Sequence, residues 1–394
     1  RRRCRISSLI SVSDIPSRVL MSWDTVIGQQ RVKELLQRAI AGGKVAHAYL
    51  FHGGEGVGKE AMAIEFARVL NCEKKQPTAC GACASCRKTN PLQHPNIRLI
   101  FPLPVGKSEK SGDDPIRVLS EEQVAAVQEQ LRLKALDPYY HIAVPKANFI
   151  KVNSVRFVRR QAAMSRFEGG KNVFIISPAD AMNAEAGNSL LKTLEEPPSD
   201  SVFVLTTSRR QQLLPTILSR CQLVQFDPLS EEELCEALIA RMEVEPDQAA
   251  LVARLSEGSY STAVEMLSVD MVREREGVVQ FLRLVLGSQR AALSKEIEAI
   301  GSTGDRSVVV RWLKMLQAWL RDALVLRDLG EGGMPGGDPS AELTSFVSKF
   351  PRADLPEALE CVERSIALVD KNVYLPLILT GLSIDLHRTL VPQR

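Results

Sequence analysis

The sequence predicts an α/β domain built on a mainly parallel sheet, followed by all-helical domains. Three observations carry this prediction. Residues 47–70, HAYLFHGGEGVGKEAMAIEFARVL, read as a short apolar strand, a glycine-rich turn and an amphipathic helix. Two continuous apolar runs, 173–176 and 202–205, read as strands buried on both faces, with helical stretches alternating between them. From Pro228 onward the texture changes, and the remainder of the chain is helical in pattern.

Composition sets the outer limits. The 394 residues suffice for two or three domains, and 45% hydrophobic with 25% charged residues is ordinary for a soluble globular chain. No apolar run approaches the roughly 18 residues that a membrane span needs. The net charge of +3 is unevenly placed: residues 1–20 carry five arginines against Asp14 alone, which is +4 and leaves −1 for the remainder. No overall basic field therefore argues for nucleic acid, and any DNA contact must be local. Residues 1–20, Arg- and Ser-rich, are expected to be a disordered leader or start-site artefact rather than a targeting signal, with Met21 as the natural start.

In chain order, residues 24–42 read as a helix with Val32, Leu35, Leu36 and Ile40 on one face, ended by Gly42 and Gly43. Gly53, Gly58 and Lys59 then fit G-x-x-x-x-G-K and are the expected nucleotide-binding residues. Backbone N–H groups at a helix N-terminus close around phosphate oxygens, and the lysine meets the outer phosphates. The next residue is normally Ser or Thr, whose hydroxyl helps hold Mg²⁺. Here it is Glu60, a carboxylate placed to compete for the metal. The loop reads as one of P-loop ancestry with compromised chemistry, and ATP binding is in question.

Cys72, Cys80, Cys83 and Cys86 follow, four of the chain's eight cysteines within fifteen residues. Two overlapping C-x-x-C steps and one upstream cysteine place four thiolates around one ion, the closed shell of a structural Zn²⁺. A disulfide pair is at odds with an intracellular P-loop protein. The ferredoxin pattern needs a further cysteine where Arg87 and Lys88 stand. Cys4, Cys221, Cys235 and Cys361 are scattered and read as buried or incidental thiols. Residues 101–150 read as an irregular, partly exposed insertion with one helix over 121–133 and no evident chemistry.

Asn153 or Ser154 is expected to cap a helix bearing Arg156, Arg159, Arg160 and Arg166, either a phosphate-meeting face or a solvated one. In a P-loop ATPase the strand at 173–176 ends in Asp, for Mg²⁺, and often Glu, for the attacking water. Ser177 and Pro178 stand there and do neither job, and Asp180 lies beyond the strand end. The helix in NSLLKTLEEPP is stopped by Pro197 and Pro198, and QQLLPTILSRCQLVQF leads into a fourth short strand. Ser230 and Glu233 make a capping box, and Gly258 and Ser259 separate one helix from the next. Residues 307–329 form a long amphipathic helix with Trp312, Leu316, Trp319, Leu320 and Ala323 inward. A flexible loop at 331–340 and two further helices, the last broken near Pro376, close the chain.

HAYLFHGGEGVGK, the four-cysteine module, NSLLKTLEEPP and LLPTILSRC, in that order, resemble the bacterial DNA polymerase III clamp-loader family over about residues 21–390. The resemblance is most specific in LLKTLEEPP and in Ser219, Arg220 and Cys221. It implies an AAA+ P-loop domain over 21–227 with an inserted Cys4 zinc module at 72–86 and the insertion at 101–150. An all-α lid over 228–273 and an all-α collar over 274–394, which joins five subunits in a ring, are implied to follow.

Two kinds of subunit share that layout, the gamma/tau ATPase and delta-prime. The ATPase kind keeps Ser or Thr after the P-loop lysine, Asp-Glu after the second strand and a lid arginine in G-S-x-R-x-A. This chain has Glu60, Ser177 with Pro178, and Ser261 within GSYSTA, while Arg220 is intact. The resemblance therefore implies the delta-prime kind, a subunit that hydrolyses nothing itself. Arg220 would be an arginine finger on ATP held by the neighbouring gamma/tau subunit. The implied partners are gamma/tau, delta, the sliding clamp and primed DNA within the complex, in the bacterial cytoplasm at the replisome, with no membrane. Two readings compete: a gamma/tau-like ATPase with a metal site rewired through Asp180, and a zinc-dependent DNA-binding module using 72–86 and the 156–166 arginines.

Overall fold

The computed structural model describes residues 22–106, 109–163, 169–267, 271–302, 306–330, 341–371 and 373–391. The expected leader, Cys4, Arg166 and the 331–340 loop lie outside the described residues. The chain divides into two compact units, one running to Met242 and including Glu257–Thr262, the other made of Glu243–Ser256 and the chain from Ala263. The division falls inside 228–273, the stretch read as a lid.

In the first unit the strands are β1 (Ala48–His52), β2 (Ile97–Ile100), β3 (Asn172–Ile176), β4 (Ser201–Thr207) and β5 (Gln222–Gln225). Its helices are α1 (Gln30–Ala41), α2 (Lys59–Asn71), α3 (Ala84–Thr89), α4 (Glu121–Leu136), α5 (Val152–Ala162), α6 (Ala184–Glu195), α7 (Pro215–Leu218) and α8 (Glu231–Met242). The strands form one sheet in the order β2-β3-β4-β1-β5, and every neighbouring pair is parallel. Every residue of β3 and β4 is buried, because helices cover both faces. The sequence indicates four of the five strands. β2, at one edge of the sheet, is the strand the sequence does not indicate.

One face of the sheet presents Leu50, Phe174, Ile176, Phe203 and Leu205 to a core completed by Val158, Leu190 and Ile217. Phe174 and Phe203 stack there at 5.3 Å. On the other face Tyr49 meets Phe66 of α2 edge-on, also at 5.3 Å. This packing fixes α2, and with it the phosphate loop, against the middle of the sheet.

Three local expectations change. A 3-10 turn at Trp23–Thr25 precedes α1, and Gln29, with φ 56°, keeps the two from joining into one helix. No side chain caps α5, which follows Lys151; Asn153 instead reaches into the insertion, donating to Glu109 at 2.9 Å and accepting from the Gly112 N–H at 2.9 Å. The insertion is also more ordered than its sequence suggests. It has its own apolar cluster of Phe101, Leu103, Val127 and Val144, and its helix runs to Leu136.

The second unit is helical: α9 (Pro246–Leu255), α11 (Met271–Leu286), α12 (Arg290–Gly301), α13 (Arg306–Leu329), α14 (Ala341–Lys349), α15 (Leu355–Asp370) and α16 (Leu375–Leu390), with α10 (Tyr260–Leu267) spanning the division. The five residues expected inward on α13 are all buried, with Trp312 edge-on to Phe281 at 4.9 Å and Trp319 edge-on to Phe346 at 5.0 Å. Among the described residues three helices, not two, follow the 331–340 stretch. Pro376 does not break the last one; it lies in the first turn of α16, where a missing N–H costs nothing. Among the described residues no helix is long and apolar enough to cross a membrane.

Candidate functional site

The phosphate loop joins β1 to α2 as expected. Gly53 has φ 151°, and a Cβ there would lie 2.3 Å from the Phe226 carbonyl oxygen. Gly58, the N-cap of α2, has φ 96°, and its Cβ would lie 2.8 Å from the Tyr139 hydroxyl. Both positions thus need glycine. Lys59 is only 9% exposed. Its ammonium donates to the Gly53 carbonyl at 2.9 Å and to the Gly54 carbonyl, the loop's own atoms. Burial pushes its pKa down to about 8, against the opposing pull of Glu55, Glu60 and Asp180.

Glu60 is not the bare carboxylate its sequence position suggests. One oxygen accepts from the Lys134 ammonium and the other from the Ser177 hydroxyl. Ser177 in turn accepts from Thr206 at 2.6 Å, and Lys134 also donates to the Tyr140 carbonyl at 2.7 Å. The Lys134 side chain is 1% exposed and that of Glu60 22%. Burial acts to raise the Glu60 carboxyl. The charge and hydrogen bond of Lys134, with the bond from Ser177, outweigh it and hold the group below its ordinary value. Asp180 takes a hydrogen bond from Thr207 at 2.6 Å.

These residues do not fit the Mg²⁺ of a P-loop ATPase. The ligand hydroxyl is replaced by a carboxylate that an ammonium already neutralises. At the end of β3 the Ser177 hydroxyl spends its proton on that same carboxylate.

Protein also covers the loop. The Tyr260 N–H donates to the Gly56 carbonyl at 3.1 Å, and the Tyr139 and Tyr260 rings meet edge-on at 4.8 Å. The Arg241 guanidinium lies 5.4 Å from both ring centroids and donates to the Thr25 carbonyl. The Tyr139 hydroxyl accepts the Ile27 N–H at 2.8 Å. Ser261, read as standing where a lid arginine would be, donates to the Tyr139 carbonyl at 3.2 Å. Lys134 and Tyr139 were not legible as site residues, because both belong to an insertion without a motif of its own.

The four cysteines do converge. The Sγ atoms of Cys72, Cys80, Cys83 and Cys86 all lie within 4.8 Å of one another. A Zn–S distance of about 2.3 Å puts the sulfurs of a tetrahedral site about 3.8 Å apart, so a small contraction completes it. Backbone N–H groups of Cys80, Cys83 and Cys86 point at the sulfurs of Cys72, Cys80 and Cys83, each at 3.4 Å. Such donors favour thiolate, and those of Ala82 and Cys83 pull the Cys80 thiol down to about 6. The donor set fits a metal such as zinc. The module is tied down by the Trp23 indole, which donates to the Pro77 carbonyl at 2.8 Å, and by Ser85 against His94 at 2.8 Å. Away from it, Cys221 and Cys361 are buried and Cys235 half-buried.

Arg220 follows α7, just before β5. Its guanidinium pairs with Glu195 of α6 at 2.7 Å and donates to the Thr216 carbonyl at 3.0 Å. Its side chain stays 34% exposed. The register of β1 on β5 pairs Tyr49 with Gln222, so Arg220, in the turn two residues ahead of β5, lies at the end of the sheet where β1 begins. Gly53 follows the opposite end of β1, whose five residues span about 17 Å at roughly 3.3 Å per residue. Arg220 and the phosphate loop therefore stand at opposite ends of the same sheet. Of the arginines on α5, Arg156 pairs with Glu185 at 3.1 Å and Arg160 donates to the Gly112 carbonyl at 2.7 Å, while Arg159 is exposed.

Comparison with known proteins gives consistent results. A family model described as DNA polymerase III, delta subunit, matches residues 28–230. The chain is 32% identical over 262 residues to DNA polymerase III subunit delta' of Bacillus subtilis, covering 66% of each chain. It is 33% identical over 252 residues to subunit delta' of Pseudomonas aeruginosa, covering 63% of each. It is also 30% identical over 247 residues to subunit tau of Escherichia coli, covering 61% of this chain and 32% of that one. The match thus spans just under two thirds of the delta' relatives and about a third of tau.

Proposed function

The chain belongs to the family described as DNA polymerase III, delta subunit, and from that footing we propose that it is a delta-prime-like subunit of a clamp loader that hydrolyses no ATP itself. On this reading residues 21–227 are an AAA+ type domain, 228–273 a helical lid and 274–394 a helical collar. It helps load the sliding clamp on primed DNA, in the cytoplasm at the replisome, in company with gamma/tau and delta subunits. Arg220 acts in trans on ATP bound by a neighbouring gamma/tau subunit, adding a fixed cation where charge develops during phosphoryl transfer.

The observation that carries this reading is the contrast between the two ends of the sheet. At one end the metal position is filled by the Glu60–Lys134 pair. At the other, Arg220 is half-exposed and steadied by Glu195. Arg220 is too far from its own loop to serve it, so a role in phosphoryl transfer needs another chain's nucleotide. The Cys4 module, on this reading, holds one structural zinc ion that shapes 72–93 and supplies no chemistry of its own.

Similarity to tau makes a working gamma/tau-like ATPase the competing reading. ATP turnover by the purified chain, with Mg²⁺ and primed DNA, separates the two. Turnover no higher than that of a Lys59→Ala control supports the non-hydrolysing subunit. Turnover abolished by Lys59→Ala overturns it.

A further inference from the structure

The insertion contributes two residues to the phosphate loop, and they cover different regions of it. Lys134, in the last turn of α4, reaches the carboxylate of Glu60, 74 residues away in sequence. Five residues further on, Tyr139 closes on Gly58 and packs against Tyr260. Glu60 directly follows the P-loop lysine, and Ser177 directly follows β3, the two positions from which a P-loop ATPase holds Mg²⁺. Here the two positions are tied to each other: the Ser177 hydroxyl donates to one oxygen of Glu60, and the other oxygen accepts from a single buried ammonium.

We propose that Lys134 is a resident substitute for the divalent cation of this phosphate loop, and that residues 134–140 are a permanent internal ligand of the site. The charges balance without any phosphate: one carboxylate, one ammonium and two hydroxyls linked in series from Thr206 through Ser177 to Glu60. The ammonium has three protons to give, and Glu60 and the Tyr140 carbonyl take two of them. A divalent ion entering at Glu60 must evict this ammonium, and at 1% exposure Lys134 has no solvent to turn to. The insertion thus does for this loop what nucleotide and metal do for an active one: it fixes α2 against the ends of β3 and β4. This inference rests on reading the loop as non-hydrolysing and extends it by assigning a task to 101–150.

The test is thermal unfolding of the full chain with and without millimolar Mg²⁺, for wild type, Lys134→Met and the double variant Glu60→Thr/Lys134→Met. Lys134→Met strands a buried carboxylate and is expected to lower the melting temperature by roughly 6–20 °C. Mg²⁺ is expected to recover several degrees of that loss, because the vacated position accepts a cation. Wild type and the double variant are expected to melt close together and to ignore Mg²⁺. The proposal is overturned if Lys134→Met melts like wild type, if Mg²⁺ stabilises wild type equally, or if Lys134→Met is destabilised and Mg²⁺ restores nothing. Should Lys134→Met not fold in buffer, refolding with and without Mg²⁺ decides: recovery with Mg²⁺ alone supports the proposal, and recovery in neither overturns it. None of these readouts involves Arg220, so this inference and the trans-acting role fail separately.

Discussion

Lys59→Met is a direct probe of whether the P-loop lysine serves a ligand or the loop itself. In the folded chain the ammonium is buried against the Gly53 and Gly54 carbonyls, and its pKa falls from 10.5 to about 8. One pH unit is worth about 1.4 kcal/mol, so the buried charge carries a penalty of about 3 kcal/mol. Unfolded, the lysine keeps its proton up to about pH 10.5. Between the two values unfolding takes up a proton, so raising the pH favours the folded state. Below about pH 8 both states are protonated and the dependence is flat. Lys59→Met has no such group, and comparison with it cancels the thiols and phenols that titrate in the same range. Urea unfolding of both proteins is therefore expected to show the wild type gaining on the variant by about 1.4 kcal/mol per pH unit, about 3 kcal/mol in all, between about pH 8 and 10.5. A difference that stays flat or falls across that window would refute the burial argument.

Three further perturbations follow from named contacts. Cys83→Ser, or chelation of the wild type, is expected to release one metal ion per chain by elemental analysis and to lower the melting temperature, because binding is coupled to folding; a native chain that is metal-free as isolated contradicts the zinc assignment. Glu195→Ala breaks a half-exposed pair and is expected to cost at most about 1 kcal/mol of stability. It is nonetheless expected to lower ATP turnover by the assembled clamp loader, since Arg220 keeps only neutral partners, the Thr216 carbonyl and the Ser219 hydroxyl; unchanged turnover shows that Glu195 does not position Arg220. The folded Glu60 carboxyl lies below its ordinary value. Its stabilisation is thus complete above about pH 4.5 and lost as the pH drops through the lower folded value. The advantage of wild type over Glu60→Gln should shrink on acidification, and one that grows instead is incompatible with the Lys134 pairing.

What could be read from the chain was what is local. The phosphate loop needs Gly53 and Gly58 where the backbone turns, and both take the conformations the motif implies. The four cysteines that converge lie within fifteen residues, and Ser230 with Glu233 forms its reciprocal cap as expected, at 3.1 and 2.9 Å. The failures are of the opposite kind. Glu60 alone reads as a carboxylate that competes for the metal, and its meaning changes only with a partner 74 residues away. β2 is the one strand that was not read, and it is set only by its pairing with β3. Pro376 carries the same signal whether it ends a helix or starts one, and packing in the second unit decides. The Arg220–Glu195 pair lies between the two extremes, since both residues stand in recognisable stretches and only the fold brings them together.

The central claim is that this chain acts on ATP held by another subunit. ATP hydrolysis by the assembled clamp loader on primed DNA, with either Arg220→Ala or Lys59→Ala in this chain, tests it most directly. Arg220→Ala is expected to leave assembly intact and slow the neighbouring site by about 10³-fold or more, while Lys59→Ala leaves turnover unchanged. Normal turnover with Arg220→Ala, or a loss confined to Lys59→Ala, would contradict it.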